Sequence, residues 1–128
     1  MHKDLLINFV PTGMVPRKSS NPNVPEQPNE IIDEVLEAYN KGITIAHLHA
    51  RDIDGNPSHC PEIYAKLVEG IRNDAPDLIR CLSLSGRGGL GLEQRSAPLQ
   101  LAGKHRPDMG SLTLSSLNFT TQASINSP

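Results

Sequence analysis

The pattern of apolar and polar positions along the chain predicts four strands separated by helices. Short apolar runs begin near residues 4, 43, 78 and 109, and in the first of them only Asn8 is polar. Continuous apolar runs of this length are typical of strands that are buried on both faces in a parallel sheet. We therefore predict strands at about residues 4–10, 43–49, 78–84 and 109–115.

Helical spacing of the apolar positions occupies the intervals between these runs. One such pattern follows Pro28 and stops before Gly42, and a second one opens at Pro61. A shorter helix is predicted at residues 93–101, interrupted at Pro98, whereas residues 14–29 contain four prolines and are predicted to form a long loop. The resulting order is β-α-β-α-β-α-β, which indicates an α/β fold with parallel strands.

Two architectures fit this order, an open doubly wound sheet and a closed (βα)8 barrel. A barrel needs roughly 250 residues, and the chain has 128 and ends at Asn126-Ser127-Pro128 without a closing helix. If the barrel is correct, we expect residues 1–128 to form the N-terminal half of a single barrel domain, with roughly the first four strands.

Composition and charge exclude several classes of function. The formal net charge is −2 and there is no block of basic residues, so neither nucleic acid nor an acidic membrane surface is an expected partner. The chain has no apolar run of membrane-spanning length. Cys60 and Cys81 are the two cysteines, fewer than a secreted disulfide scaffold carries, so we expect a cytoplasmic protein.

The strongest chemical signal is the sequence His47-Leu48-His49. Alternate residues of a strand point to the same face, so both imidazoles would project together from the C-terminal end of the second strand. Active sites of barrel enzymes are built at that end. Two neutral imidazoles suit zinc, and a catalytic zinc generally takes a third protein ligand. The competing interpretation is that a histidine here merely ends a strand.

Four segments of the chain resemble the β-keto acid cleavage enzymes. They are LLINFVPTGMVP, GITIAHLHARDIDGNP, SLSGR and PDMGSLTLSSLNF, in this order. The resemblance implies a (βα)8 barrel, usually in a homotetramer, in which His47, His49 and a later glutamate hold zinc. It also implies condensation of a β-keto acid with acetyl-CoA to give acetoacetate and a new acyl-CoA. By the same resemblance, Ser83 and Thr113 would contact the substrate.

One position departs from the family pattern. Some members carry an acidic residue soon after the Thr-Gly of the first strand, where it contacts an amino group of the substrate, and here Met14 and Val15 occupy that stretch. We therefore expect poor use of amino-substituted keto acids, with an apolar or neutral side group favoured.

The third ligand and the proton-transfer groups would come from later strands, so we expect the 128 residues by themselves to be inactive. Two alternatives stay open at this point. One is a metal-dependent hydrolase, since His-x-His at a strand end also marks amidohydrolase-type barrels. The other is a truncated product without catalytic function.

The remaining polar residues of interest have weaker signals. Arg51 and Asp52 are expected to pair with each other or to brace their loop. A glycine segment at residues 86–91 has neither dinucleotide-binding nor P-loop spacing. His59 and His105 are assigned no role.

Overall fold

The computed structural model describes residues 5–87, 89–118 and 123–126. Residue 4, where the first strand was expected to begin, and Gly88 of the glycine segment lie outside these residues. The strands of the described part are β1 (Asn8–Phe9), β2 (Ile45–Leu48), β3 (Ala50–Arg51), β4 (Pro57–Ser58), β5 (Ile79–Ser83), β6 (Met109–Ser111), β7 (Leu117–Asn118) and β8 (Ala123–Ser124). The helices are α1 (Pro28–Tyr39), α2 (Pro61–Asp74) and α3 (Leu92–Ser96), with 3-10 turns at Ala97–Gln100 and Gly103–His105.

The main sheet has four parallel strands in the order β1-β2-β5-β6. Phe9 is paired with Ala46, Leu48 with Leu82, and Leu82 with Gly110. Each strand therefore lies beside the next strand of the predicted series, with a helical segment in each connection. The predicted fold class is confirmed: the chain is α/β and forms the first four strands of a (βα)8 pattern.

Helix α1 begins where the sequence predicts it, because two residues, Pro28 and Glu30, stabilise its first turn. Pro28 occupies the first helical position, where its missing N–H costs no hydrogen bond. The carboxylate of Glu30 accepts hydrogen bonds from the backbone N–H groups of Glu26 and Gln27, both at 3.0 Å. Negative charge at this position also interacts favourably with the helix dipole.

The hydrophobic core lies between the sheet and the helices α1 and α2. From the sheet, Ala46, Leu48 and Leu82 are completely buried. From the helices, the buried side chains are Ile31, Val35, Tyr64, Leu67, Val68 and Ile71. Burial of each large aliphatic side chain stabilises the fold by about 1.5–3 kcal/mol. The odd-numbered residues of β2 point away from this core, and this places the histidine pair on the opposite face of the sheet.

The strands are shorter than predicted, most of all at the two edges of the sheet. β1 covers only Asn8–Phe9, and Leu5 and Leu6 are 75% and 70% exposed. The prediction of a first strand buried on both faces is therefore wrong. In the described part of the chain β1 has one neighbour, β2, and an edge strand lacks the second neighbour that would cover it.

Two short antiparallel pairs extend the structure beyond the main sheet. β3 pairs with β4, and β7 pairs with β8. Residues 14–29 contain no strand before α1 begins, as predicted for a long loop. The predicted third helix is divided into α3 and a 3-10 turn that contains Pro98. No helix in the described ranges combines the length and the apolar character that crossing a membrane requires.

Candidate functional site

His47 and His49 lie side by side where β2 ends. His47 is the third residue of that strand, and His49 follows its last residue. The two ring centroids are 4.9 Å apart and the ring planes differ by 16°. Leu48, between them, is completely buried in the core. The alternation of the strand therefore gives the two imidazoles one shared face, as the sequence predicts.

Burial keeps both rings in the neutral form that can bind a metal. Burial lowers the pKa of His49 to about 4, and the nearby charge of His47 acts in the same direction. Burial also lowers the pKa of His47. The Nδ1 atom of His49 is buried and has no hydrogen-bond partner among the described residues. Buried polar side-chain atoms normally have a hydrogen-bond partner, and this nitrogen atom is an exception.

The donor set fits two of the three ligands of a catalytic zinc site. Neutral imidazoles are common zinc ligands. Among residues 5–87, 89–118 and 123–126, no group of three histidine, cysteine or acidic side chains is close enough to hold one metal ion. The described part of the chain thus provides two candidate ligands and no third one.

Ser83 lies on the neighbouring strand and on the same face as His49. It is the last residue of β5 and is 2% exposed. The preceding residue, Leu82, is paired with Leu48. Since the strands are parallel and in register, Ser83 stands at the level of His49. Its backbone carbonyl accepts a hydrogen bond from the hydroxyl of Tyr64 at 3.2 Å, which fixes the end of the strand.

Thr113 lies outside the fourth strand. β6 ends at Ser111, which is paired with Ser83, and Thr113 follows two residues later in a half-buried position. The prediction of a strand to residue 115 is therefore wrong. Because the regular alternation of a strand does not extend to Thr113, register does not determine where its side chain points.

Arg51 and Asp52 brace their loops and do not pair with each other. The guanidinium of Arg51 donates hydrogen bonds to the backbone carbonyls of Gly13, Pro16 and Gly55. Asp52 Oδ1 accepts hydrogen bonds from the backbone N–H groups of residues 54 and 56, at 3.0 and 2.8 Å. An aspartate that binds backbone N–H groups in this way stabilises a tight turn.

A cavity of about 350 Å³ lies among the loops at the carboxyl ends of the strands. Its wall consists of Met14, Pro57, His59, Arg87 and Leu90. His59 is 9% exposed and neither of its ring nitrogens has a hydrogen-bond partner in the described part. Burial lowers the pKa of His59. The Nε atom of Arg87 donates a hydrogen bond to Ser124 Oγ at 2.9 Å.

His59 is a residue that the sequence reasoning missed. It follows the short strand β4, and β3, the partner of β4, follows His49. The β3–β4 hairpin therefore connects the two histidines, and the charge of His59 contributes to the lowered pKa of His49. Strands of two residues are too short to show an alternation of apolar and polar positions, so no sequence signal predicted that a hairpin connects His49 and His59.

The remaining candidates take no part in this arrangement. His105 Nε2 lies 2.9 Å from Glu69 Oε2, in a contact between a 3-10 turn and α2. Cys60 and Cys81 are free thiols. Cys81 is buried, whereas Cys60 is only half-buried and its thiol donates a hydrogen bond to the carboxylate of Glu62 at 2.7 Å.

Comparison with known proteins identifies one matching family and several similar proteins. The family model described as beta-keto acid cleavage enzyme matches residues 4–128. The chain is 41% identical, over all of its 128 residues, to 3-oxoadipate:acetyl-CoA acetyltransferase of Cupriavidus necator, and it covers 43% of that protein. It is 36% identical over 115 residues to 3-keto-5-aminohexanoate cleavage enzyme of Acetoanaerobium sticklandii, of which it covers 41%. The chain thus spans about two fifths of the length of these relatives.

Solved structures show the same fold. The binary complex of ObcA with oxaloacetate superposes on 82% of this chain with a TM-score of 0.71 and 23% identity, over 26% of the ObcA chain. The ternary complex of ObcA with C4-CoA adduct and oxalate gives the same TM-score, 0.71, at 21% identity. At this level of identity the likeness concerns the fold alone.

Proposed function

The chain belongs to the β-keto acid cleavage enzyme family. We propose that residues 1–128 form the N-terminal half of a (βα)8-barrel domain, and that the enzyme with this domain exchanges acyl groups. The enzyme condenses a β-keto acid with acetyl-CoA and releases acetoacetate and a new acyl-CoA. The observation that carries the proposal is the stacked pair His47 and His49 at the carboxyl end of β2. Family membership favours acyl exchange over the hydrolase alternative.

His47 and His49 are the proposed zinc ligands in this chain. Their support is the shared face, the neutral state and the unpartnered Nδ1 atom of His49. The third ligand is a glutamate outside the described residues, as the family resemblance implies. When bound, zinc supplies a Lewis acid that polarises a carbonyl group. The buried Leu48 between the ligands holds both rings in one orientation.

Ser83 is proposed to bind the carboxylate of the keto acid. A serine hydroxyl can donate a hydrogen bond to such a group, and the register places Ser83 beside His49. Thr113 is proposed as a second substrate contact, and its position just beyond β6 puts it near the same edge of the sheet. Both side chains would orient the substrate without taking part in proton transfer.

The cavity bordered by Met14, His59 and Arg87 is proposed to receive the side group of the keto acid. None of its lining residues is a carboxylate, and two of them carry basic groups. A cationic side group would therefore gain no ion pair from these lining residues. We therefore propose that amino-substituted keto acids are poor substrates.

Two further properties complete the proposal. The enzyme is a homotetramer, which the family resemblance supports and which the molar mass in solution tests. It works in the cytoplasm, and the two free thiols of the chain support a reducing environment.

The experiment is a panel of keto acids incubated with acetyl-CoA and the full-length protein, followed by measurement of acetoacetate. The panel contains 3-oxohexanoate, 3-oxoadipate and 3-keto-5-aminohexanoate, which differ in the side group. We expect acyl exchange that a chelator suppresses, with the amino-substituted acid the poorest substrate. Residues 1–128 by themselves are expected to show no turnover, because their described part supplies only two zinc ligands.

Each result of this panel bears on a different part of the proposal. No acetoacetate from any keto acid would contradict the function. The highest kcat/KM for the amino-substituted acid would contradict the proposed use of the cavity. Chelator-sensitive turnover by residues 1–128 would contradict the need for a ligand outside them.

A further inference from the structure

Arg51 binds three backbone carbonyls in two loops that are far apart in the sequence. Its Nη1 atom donates to the carbonyl of Gly55 at 2.6 Å. Its Nη2 atom donates to the carbonyls of Gly13 and Pro16 at 2.5 and 2.6 Å. The residue is 2% exposed. The loop after β1 and the turn after β3 are therefore bound to the same guanidinium.

Such a buried charge demands a specific arrangement of its neighbours. Burying an ionised side chain is costly unless hydrogen bonds compensate it. Arg51 obtains this compensation from backbone carbonyls, so the loops must keep the positions in which those oxygens point at the guanidinium. Arg17 holds the same turn from the outside, because its guanidinium donates to Gly55 and Asp54 carbonyls at 2.5 and 3.0 Å.

The loop that Arg51 holds lies directly over the candidate site. Thr12 is 4% exposed, and its backbone lies next to the ring of His49. Two residues later, Met14 forms part of the cavity wall together with His59. Gly13, between them, is one of the residues whose carbonyl binds Arg51. A displacement of this loop would therefore change the cavity and the cover of His49 together.

We propose that Arg51 is a positioning residue that determines substrate selectivity by fixing residues 12–17 over the histidine pair. Its hydrogen bonds go to the loops and not to the histidine rings, so it acts through the loop that carries Met14. The inference rests on the function proposed above, since selectivity has meaning only if the cavity receives the side group of a keto acid.

Lysine cannot replace Arg51 in this role. A guanidinium is a rigid fork whose nitrogens reach acceptors in different directions, whereas an ammonium is one point charge on a flexible stem. In the variant Arg51→Lys the ammonium would bind the carbonyl of Gly55 or those of Gly13 and Pro16, and the other loop would lose its bond to residue 51, so that Arg17 alone would join the two loops. Arg51→Met removes both attachments.

Amide hydrogen exchange of the full-length protein tests the positioning directly. In Arg51→Lys and Arg51→Met we expect exchange in residues 12–17 to become at least about tenfold faster, because a loop that has lost the guanidinium adopts open, solvent-exposed conformations more often. We also expect roughly 10- to 100-fold lower kcat/KM, since small misplacements of binding groups have effects of this size. The ratio of kcat/KM between 3-oxohexanoate and 3-oxoadipate should change as well.

Arg80→Met is the matched control. Arg80 is also 2% exposed, but it is bound to Asp108 at the start of β5, at the other end of the strands. This variant should lose stability and yet keep the substrate ratio and the exchange rates of residues 12–17. A loss of stability alone lowers the active fraction and reduces kcat equally for both keto acids.

The outcomes separate this inference from the proposed function. Unchanged exchange of residues 12–17 in the Arg51 variants, or an unchanged substrate ratio, would overturn the role of Arg51. The same changes in Arg80→Met would also overturn it. If the wild-type protein uses no keto acid, the proposed function fails, and the exchange rates alone then decide whether Arg51 positions the loop.

Discussion

At the scale of single residues, the histidine pair depends on what lies on the other face of β2. Ala46 and Leu48 are completely buried against the helices. This burial fixes the orientation of the strand, because a shift by one residue would move every side chain to the opposite face. His47 and His49 consequently share the face away from the core, and their rings stack.

Glu30 provides a prediction about acid stability. Hydrogen bonds from the backbone N–H groups of Gln27 and Glu26, together with the ammonium of Lys18, lower the pKa of this carboxyl from 4.5 to about 2. A carboxyl whose pKa is lower in the folded state stabilises the fold above pH 4.5, and this contribution is lost as the pH falls through about 2. In Glu30→Gln we expect a lower free energy of unfolding at neutral pH and a weaker pH dependence between these limits.

Urea unfolding at a series of pH values measures this effect. Glu37→Gln is the control, because Glu37 is on the same helix and its pair with Lys41 is about 70% exposed. Exposed pairs of this kind contribute little. Parallel acid profiles of wild type and Glu30→Gln would show that the capping contacts do not stabilise α1.

The sequence predicts the arrangement of some of these residues and not of others. Alternation along a strand suffices to place His47 and His49 together, because only local geometry is needed. The partners of Arg51 are backbone carbonyls, and two of them lie 35 and 38 residues away along the chain. Every residue has a backbone carbonyl, so no residue type at those positions identifies the contact.

At the scale of secondary structure, the four strands of the main sheet and the helices between them were predictable in order but not in length, and the short strands β3, β4, β7 and β8 were not predicted. β5 has five residues and neighbours on both sides, and it lies within one residue of its predicted limits. β1 and β6 are edge strands of the described sheet and are the most shortened. The apolar runs mark where a strand passes through the sheet, whereas its length depends on partners that the runs do not reveal.

The turn after β3 provides a prediction at this scale. Gly55 has a φ of +76°, and a Cβ atom there would lie 3.0 Å from the carboxylate of Glu26. A side chain in this backbone conformation costs about 1–2 kcal/mol. We therefore expect Gly55→Ala to lower the free energy of unfolding by at least that amount, as measured by urea unfolding.

Gly91→Ala is the control for this prediction. Gly91 has a φ of −66°, and no atom lies within 4 Å of the position of a Cβ atom. Its substitution should change the free energy of unfolding by less than about 0.5 kcal/mol. Equal stability of Gly55→Ala and wild type would show that the turn after β3 does not need the left-handed conformation.

At the scale of the whole molecule, both edges of the described sheet carry exposed apolar side chains. Next to β1, Leu5 and Leu6 are largely exposed, and beyond β6, Leu112 and Leu114 are 58% and 88% exposed. Relatives of this chain are more than twice as long. Further βα units of a barrel would cover both edges, and they could supply the third ligand of the proposed zinc site at the carboxyl ends of the strands.

The zinc content of the full-length protein and of the variants His47→Ala and His49→Ala is the most direct test of this account. We predict one zinc ion per chain in the wild type, and loss of the ion together with loss of acetoacetate formation in each variant. The physical reason is that a site with one ligand fewer binds the ion too weakly to retain it. Zinc retained at the wild-type level in both variants, with acyl exchange unchanged, would contradict the assignment of the metal to this histidine pair.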